Sequence, residues 1–166
     1  PSAGDWTGIF FSDSSADAVF DANGNWVNGS IIRYAIIEYG GGGSGPISIG
    51  GGSGGVLLKA ACPLIDNNIF RYNSGTALFF NGGGSGSPIL SNNTIIYNGL
   101  GVNIQQGSPS LSNNLITHNT QAMFATDNPT ITYNAIVDNG DGIEVALDGP
   151  NMKINYNDLY GNSYDV

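Results

Sequence analysis

His118 is the only histidine in this chain of 166 residues, and Asp138 lies downstream of it. An imidazole acts as a general base when a charged neighbour orients it, so this pair is the candidate for proton abstraction. Asp138 also heads an acidic group with Asp141, Glu144 and Asp148, and Asp127 precedes it. Clustered carboxylate oxygens suit a hard cation such as calcium, which makes Asp138, Asp141 and Glu144 the candidate metal ligands. A third chemistry comes from Tyr34, Tyr39, Tyr72, Tyr97, Tyr133 and Tyr156. Aromatic faces beside amides suit sugar rings, whose apolar C–H faces are ringed by hydroxyls. Which of these groups meet depends on the elements that carry them.

Those elements repeat. The stretches "PLIDNNIFRYN" from Pro63, "PILSNNTIIYN" from Pro88, "PSLSNNLITHN" from Pro109 and "PTITYNAIVDN" from Pro129 share one template. "MKINYNDLYGN" from Met152 follows it without the proline, and "SIIRYAIIEYG" from Ser30 carries Ala35 and Gly40 in place of its asparagines. One asparagine column runs Asn68, Asn93, Asn114, Asn134 and Asn157, with spacings of 25, 21, 20 and 23 residues. A second runs Asn73, Asn98, Asn119, Asn139 and Asn162 with the same spacings. Between copies lies a third short strand, "ALFF" at 77–80, "GVNI" at 101–104, "AMFA" at 122–125 and "GIEV" at 142–145. Units of this length built from short alternating strands are coils of a β-solenoid. Helical repeats are excluded, because no segment has a 3.6-residue period and Gly and Asn stand where helix formers are needed.

The coil resembles that of the right-handed parallel β-helix, the pectin-lyase-like superfamily, and the handedness rests on that resemblance. The expected fold is all-β, a single domain over residues 1–166, with about seven coils incomplete at both ends. Stacking at about 4.8 Å turns each inward position into a column. Ile65, Leu90, Leu111, Ile131 and Ile154 form one, and Phe70, Ile95, Ile116, Ile136 and Leu159 another. Each buried member contributes about 1.5–3 kcal/mol. An inward asparagine at a corner pairs its amide with the coils on either side, each net hydrogen bond contributing about 0.5–1.5 kcal/mol. Asparagine also tolerates the left-handed backbone that tight corners often use. The ten asparagines are therefore structural ladders first.

The same register sorts the candidate chemistry. His118 joins a column with Tyr39, Tyr72, Tyr97 and Asp138, so Asp138 stands one coil away from it. Tyr34, Asn67, Asn92, Asn113, Tyr133 and Tyr156 make another row. Arg33 and Arg71 occupy different repeat positions and form no cationic column. Asp141 and Glu144 differ in position too, and neither has a carboxylate in the matching place next door. The paired carboxylates of a glycosidase are therefore not in register, and a solvated acidic face is the plainer reading. Enzymes of the resembled fold include polysaccharide lyases, pectinases and uronate epimerases; a lyase needs a base and a cation beside the uronate carboxylate.

"YGGGGSGPISIGGGSGG" resembles an interdomain tether, but the template resumes in phase beyond it, so residues 40–55 read as a loop within one coil. Residues 81–87 read as a second glycine-rich loop. Before Ser30, Ile9 and Phe11 fit a strand of the third type, and "VFDANGNWV" reads as a hairpin with Asn23–Gly24 as its turn. "DANGN" lacks the Gly and Glu that complete an EF-hand.

Composition limits the partners. Four Lys plus Arg stand against thirteen Asp plus Glu, a net charge of −9, so no basic track exists for nucleic acid. Apolar residues make up 40%, enough for a core, and no run of about 18 of them marks a membrane span. Cys62 is the single cysteine, which rules out an intrachain disulfide and reads as a buried apolar residue. The opening "PSAGDWTGIFF" has neither Met nor a signal segment, so the chain is expected to begin after processing or to be cut from something larger; solenoid ends without an obvious cap favour a fragment of a longer secreted protein. The resulting expectation is a non-catalytic extracellular or cell-surface module, acting as scaffold, carbohydrate-contacting surface, or both. Its partners are then a polysaccharide or cell-surface glycan and the adjoining domains of the parent chain, with no required cofactor and calcium as a weak ligand. The alternative is part of a polysaccharide-processing enzyme of the uronate lyase or epimerase kind, whose catalytic residues lie mainly outside this stretch or in its loops, with His118 and Asp138 as the weak candidates within it.

Overall fold

The computed structural model describes residues 1–42, 54–82, 87–146 and 151–164. Coil one contains β1 (Ile9–Phe11), the hairpin strands β2 (Val19–Phe20) and β3 (Trp26–Asn28), then β4 (Ile31–Arg33) and β5 (Ile36–Glu38). Coil two has β6 (Gly54–Leu58), β7 (Leu64–Asp66) and β8 (Ile69–Arg71). Coil three has β9 (Thr76–Phe80), β10 (Ile89–Ser91) and β11 (Thr94–Ile96). Coil four follows with β12 (Leu100–Ile104), β13 (Ser110–Ser112) and β14 (Leu115–Thr117). Coil five has β15 (Gln121–Ala125), β16 (Thr130–Thr132) and β17 (Ala135–Val137), and coil six has β18 (Asp141–Val145), β19 (Lys153–Asn155) and β20 (Asp158–Tyr160).

Strands of the same type pair in parallel across coils and form three six-stranded sheets. A long-strand sheet runs β1-β6-β9-β12-β15-β18, and two short-strand sheets run β4-β7-β10-β13-β16-β19 and β5-β8-β11-β14-β17-β20. Among the described residues six coils thus stand where the sequence suggests about seven. The remainder is partial: Trp6 bridges Gly40 ahead of coil one, and Tyr164 accepts the Gly142 N–H beyond coil six. Among the described residues no helix is long and apolar enough to cross a membrane.

The inward columns fall as the template requires. Leu90 pairs in register with Ile65 and Leu111, and Ile95 with Phe70 and Ile116. All six are fully buried, while Ile154 and Leu159, in the last coil, are partly buried against them. Pro63, Pro88, Pro109 and Pro129 sit just before or at the start of their strands. There each accepts a bond from the next coil through its carbonyl, and the missing proline N–H costs least.

The two ladders are continuous. Asn93 Oδ1 accepts the backbone N–H of Asn68 and its Nδ2, both at 3.0 Å. Asn93 Nδ2 donates forward to Asn114 Oδ1 at 3.0 Å and back to the Ile65 carbonyl at 2.9 Å. Asn98 does the same between Asn73, Asn119 and the Phe70 carbonyl. In coil one, Ala35 and Gly40 supply only their backbone N–H to Asn68 and Asn73, which is all that the ladder's first step requires.

Three details of the sequence reading change. The left-handed corner residues are those before the ladder asparagines, Asn67, Asn92 and Asn113 in one column and Tyr72, Tyr97 and His118 in the other, with φ of 54° to 58°. The ladder asparagines contribute their amides instead. The hairpin turn spans Asp21–Asn25: Gly24 N–H reaches the Asp21 carbonyl at 3.0 Å, and Asp21 Oδ1 accepts the N–H groups of Asn23 and Asn25 at 2.9 Å each. Only Gly24 is left-handed there, at φ 82°, so Asn23–Gly24 is not a two-residue turn. The first glycine stretch is shorter as a loop than 40–55, because Gly54 and Gly55 belong to β6 and Gly40 to the bridge with Trp6. A Cβ at Gly54 would lie 2.3 Å from the Thr76 carbonyl oxygen, which is why glycine opens that strand. The centres of both glycine stretches, 43–53 and 83–86, lie outside the described residues.

Asn114 is 2% exposed, and its loss strands the Leu90 carbonyl and the Asn93 N–H. Asn114→Ala is expected to cost about 1–3 kcal/mol, and Asn157→Ala, at the ladder's last rung, measurably less. Chemical denaturation of both variants checks this; equal losses, or none at Asn114, would remove the ladder from the account of stability.

Candidate functional site

The corner geometry decides which side chains face outward. A ladder asparagine turns in, so the left-handed residue before it turns out. Tyr34, Tyr133 and Tyr156 are 78%, 60% and 77% exposed. Tyr39 stacks on Tyr72 with centroids 5.9 Å apart and planes at 13°, and Tyr72 on Tyr97 at 5.5 Å and 3°. His118 continues that column edge-on to Tyr97 at 5.3 Å. In the other column Tyr133 stacks on Tyr156 at 5.2 Å. Tyr34 is separated from that pair by Asn67, Asn92 and Asn113, and the Arg33 guanidinium lies 6.0 Å from its ring. The six tyrosines are therefore brought together as one triple stack, one pair and one single ring.

Energetics make the choice of residue informative. A left-handed conformation costs an ordinary side chain roughly 1–2 kcal/mol, and an aromatic pair returns about 0.5–1.5 kcal/mol beyond its buried area. Asparagine or glycine would meet the corner with less strain, as Asn67, Asn92, Asn113 and Gly161 do. Exposed tyrosine is thus not the choice that backbone geometry alone favours.

Two ion pairs flank the aromatic columns. Arg71 Nε meets Glu38 Oε2 at 2.7 Å, with its guanidinium 5.8 Å from the Tyr72 ring. Arg33 Nε meets Asp66 Oδ2 at 3.0 Å. Each joins the first two coils through strand register, Arg33 opposite Asp66 and Glu38 opposite Arg71. Repeat position alone sets the two arginines apart and does not reveal their acidic partners. The offset that aligns Ala35 with Asn68 aligns both pairs and was the signal that could have found them.

The candidate catalytic pair shares a column but not a contact between side chains. His118 Nδ1 bonds Thr117 Oγ1 at 2.8 Å, and its backbone N–H reaches the Asp138 carbonyl at 3.1 Å. The Asp138 carboxylate lies forward against Gly161 of the next coil, where a Cβ would collide with Oδ1. Asp141 and Glu144 sit on β18 at separate positions, and Glu144 Oε2 accepts a bond from Gln121 Nε2 at 2.8 Å. Among the described residues no three His, Cys, Asp or Glu side chains come together as a metal site. Asp127 bonds the Gly107 N–H and the Asn128 amide, and Asp148 lies outside the described residues.

Among the described residues Asp66 is the most buried acid, at 7% exposure. Burial pushes its carboxyl up, but hydrogen bonds from Asn92, Ser91 and Asn67 and the Arg33 charge outweigh it and hold the group below its ordinary value of 3.8. A carboxyl with a lowered folded-state value adds stability above its unfolded value and loses it as pH falls through the folded one. The melting temperature should therefore fall below about pH 4, and Asp66→Asn should flatten that acid limb. Identical pH profiles for the two proteins would assign the acid sensitivity elsewhere.

Comparison with known proteins agrees with this architecture. The family model described as right handed beta helix region matches residues 47–165, well over half of the chain. No curated protein and no solved structure matches it. With parallel coils, three sheets and paired asparagine ladders already in view, the chain belongs to the right-handed β-helix family.

Proposed function

We propose that this β-helix is a non-catalytic extracellular module, a rigid scaffold whose outer corners contact carbohydrate. The observation that carries the reading is the placement of exposed tyrosines at left-handed corners where asparagine or glycine is the less strained choice. Stacked on one another, Tyr39, Tyr72 and Tyr97 present a ridge of ring edges and hydroxyls beside the Glu38–Arg71 pair. Apolar rims next to hydrogen-bonding groups match the alternating C–H and hydroxyl surface of a sugar chain. Fold alone assigns no activity, since this architecture hosts many. The processing-enzyme alternative calls for a base with a charged partner, and His118 is engaged by Thr117 instead.

A glycan array, run with calcium and then with chelator, tests the reading. Binding of a polysaccharide that survives the chelator is expected. Tyr72→Asn combined with Tyr97→Asn should keep the fold, because asparagine suits the corner, and weaken retention about tenfold or more. Unchanged retention in that variant removes the tyrosine ridge as the contact surface. Calcium-dependent binding of uronate polymers with elimination products would favour the enzyme instead.

A further inference from the structure

Among the described residues, β2 and β3 form the only antiparallel pair. The hairpin interrupts coil one and is tied to coil two at its base: the Ala18 N–H reaches the Cys62 carbonyl, and the Cys62 N–H reaches Asp17 Oδ1, both at 2.9 Å. It stands over the outer face of the sheet formed by β4, β7 and β10. On that face strand register lines up two outward columns, Ile31, Leu64 and Ile89 in one and Arg33, Asp66 and Ser91 in the other. Between hairpin and sheet lies a cleft of about 410 Å³, within the roughly 300–1,000 Å³ of small-molecule sites. Phe20 and Trp26, cross-strand partners in the hairpin, line one side. Leu64, Ile89, Arg33 and Asp66 line the other.

We propose that this cleft binds one uncharged pyranose unit of a polysaccharide, an inference that rests on the carbohydrate-contacting reading and gives it a specific pocket. Aromatic rings opposite aliphatic side chains accept the flat C–H faces of a sugar, while the polar end takes its hydroxyls. The charge state selects a neutral ligand. Arg33 Nε is bound to Asp66 Oδ2, and Asp66 Oδ1 accepts from Ser91 Oγ and Asn92 Nδ2, both at 3.0 Å. The two charges cancel, so a uronate or phosphate would have to displace Asp66 from Arg33 in a chain of net charge −9. A hydroxyl needs no such exchange; it meets the rest of the guanidinium fork and the amide of Asn92. Trp26 contributes its ring to the cleft wall, while its indole N–H is turned into the protein.

The test uses the whole chain. The sequence has two tryptophans, so Trp6→Phe leaves Trp26 as the sole indole. Neutral hexasaccharides of gluco-, manno-, xylo- and galacto-type, and hexagalacturonate, are titrated while indole emission and calorimetric heat are followed. At least one neutral glycan is expected to bind and shift the emission. Trp26→Phe and Asp66→Asn should each weaken that binding about tenfold or more, with hexagalacturonate at least as much weaker in the parent protein. Melting curves confirm that each variant is folded, and Trp26→Phe carries the test should Asp66→Asn unfold. If neutral glycans bind but emission and the Trp26→Phe affinity do not change, the cleft is overturned while carbohydrate contact stands. If no glycan binds, both readings fall. Tighter binding of hexagalacturonate through Trp26 would overturn the uncharged class.

Discussion

The buried amides of the two asparagine columns give and take hydrogen bonds along the coil axis, and each must be oriented as its neighbours are. An amide turned over would set donor against donor and leave a backbone carbonyl without a partner. Such a defect costs more than a normal bond contributes, because the site is closed to water. The ladder therefore selects for identical corners, coil after coil, in a way that apolar packing does not. Phe70 and Ile95 differ in shape yet share one inward column with both fully buried. The asparagine positions vary only at the first coil, where Ala35 and Gly40 need to give just a backbone N–H.

That demand fixes where the chain can lengthen. In each of the six coils two residues separate the paired short strands, one left-handed and one in the ladder position. Extra sequence falls elsewhere: the hairpin between β1 and β4, the first glycine-rich stretch between β5 and β6, and the second between β9 and β10. Insertions at these places leave the phase of the ladder intact, and a loop's length adds little entropy cost once its ends are held. This is why a stretch that resembles a tether can sit inside one coil of a continuous solenoid.

Inward columns and ladders were legible in the sequence because their signal is periodic. An error in one copy is corrected by the others. The assignment of the left-handed corner failed because adjacent asparagines, as in Asn67–Asn68 and Asn92–Asn93, fit both roles equally well. Copies such as Tyr72–Asn73 and His118–Asn119 separate the roles, since only the second residue stays an amide. The ion pairs were readable from the first coil's offset, but each occurs once and so lacks the reinforcement of a repeat. His118 and Asp138 were placed in the correct column, yet column membership does not fix rotamers, and the carboxylate turns to the coil ahead. The cleft was not legible at all. It depends on how the hairpin docks, and that is set by contacts such as Ala18 with Cys62 that have no counterpart in other coils.

The outer face beneath the hairpin shows that this docking is nonetheless written into the sheet. Ile31, Leu64 and Ile89 continue in register to Ser110, Thr130 and Lys153. The column is apolar along the coils the hairpin overhangs and polar beyond them. An exposed apolar column on a solenoid surface would invite association, whereas Leu64 and Ile89 of this one face Phe20 and Trp26 across the cleft. In the neighbouring column Arg33 and Asp66, the one ion pair on that face among the described residues, are set at the cleft, and Ser91, Ser112, Thr132 and Asn155 follow. Interior positions repeat because every coil solves the same packing problem. The apolar outer column ends between coils three and four, just past the sheet residues that line the cleft, and that change ties the hairpin, the sheet and the cleft into one unit.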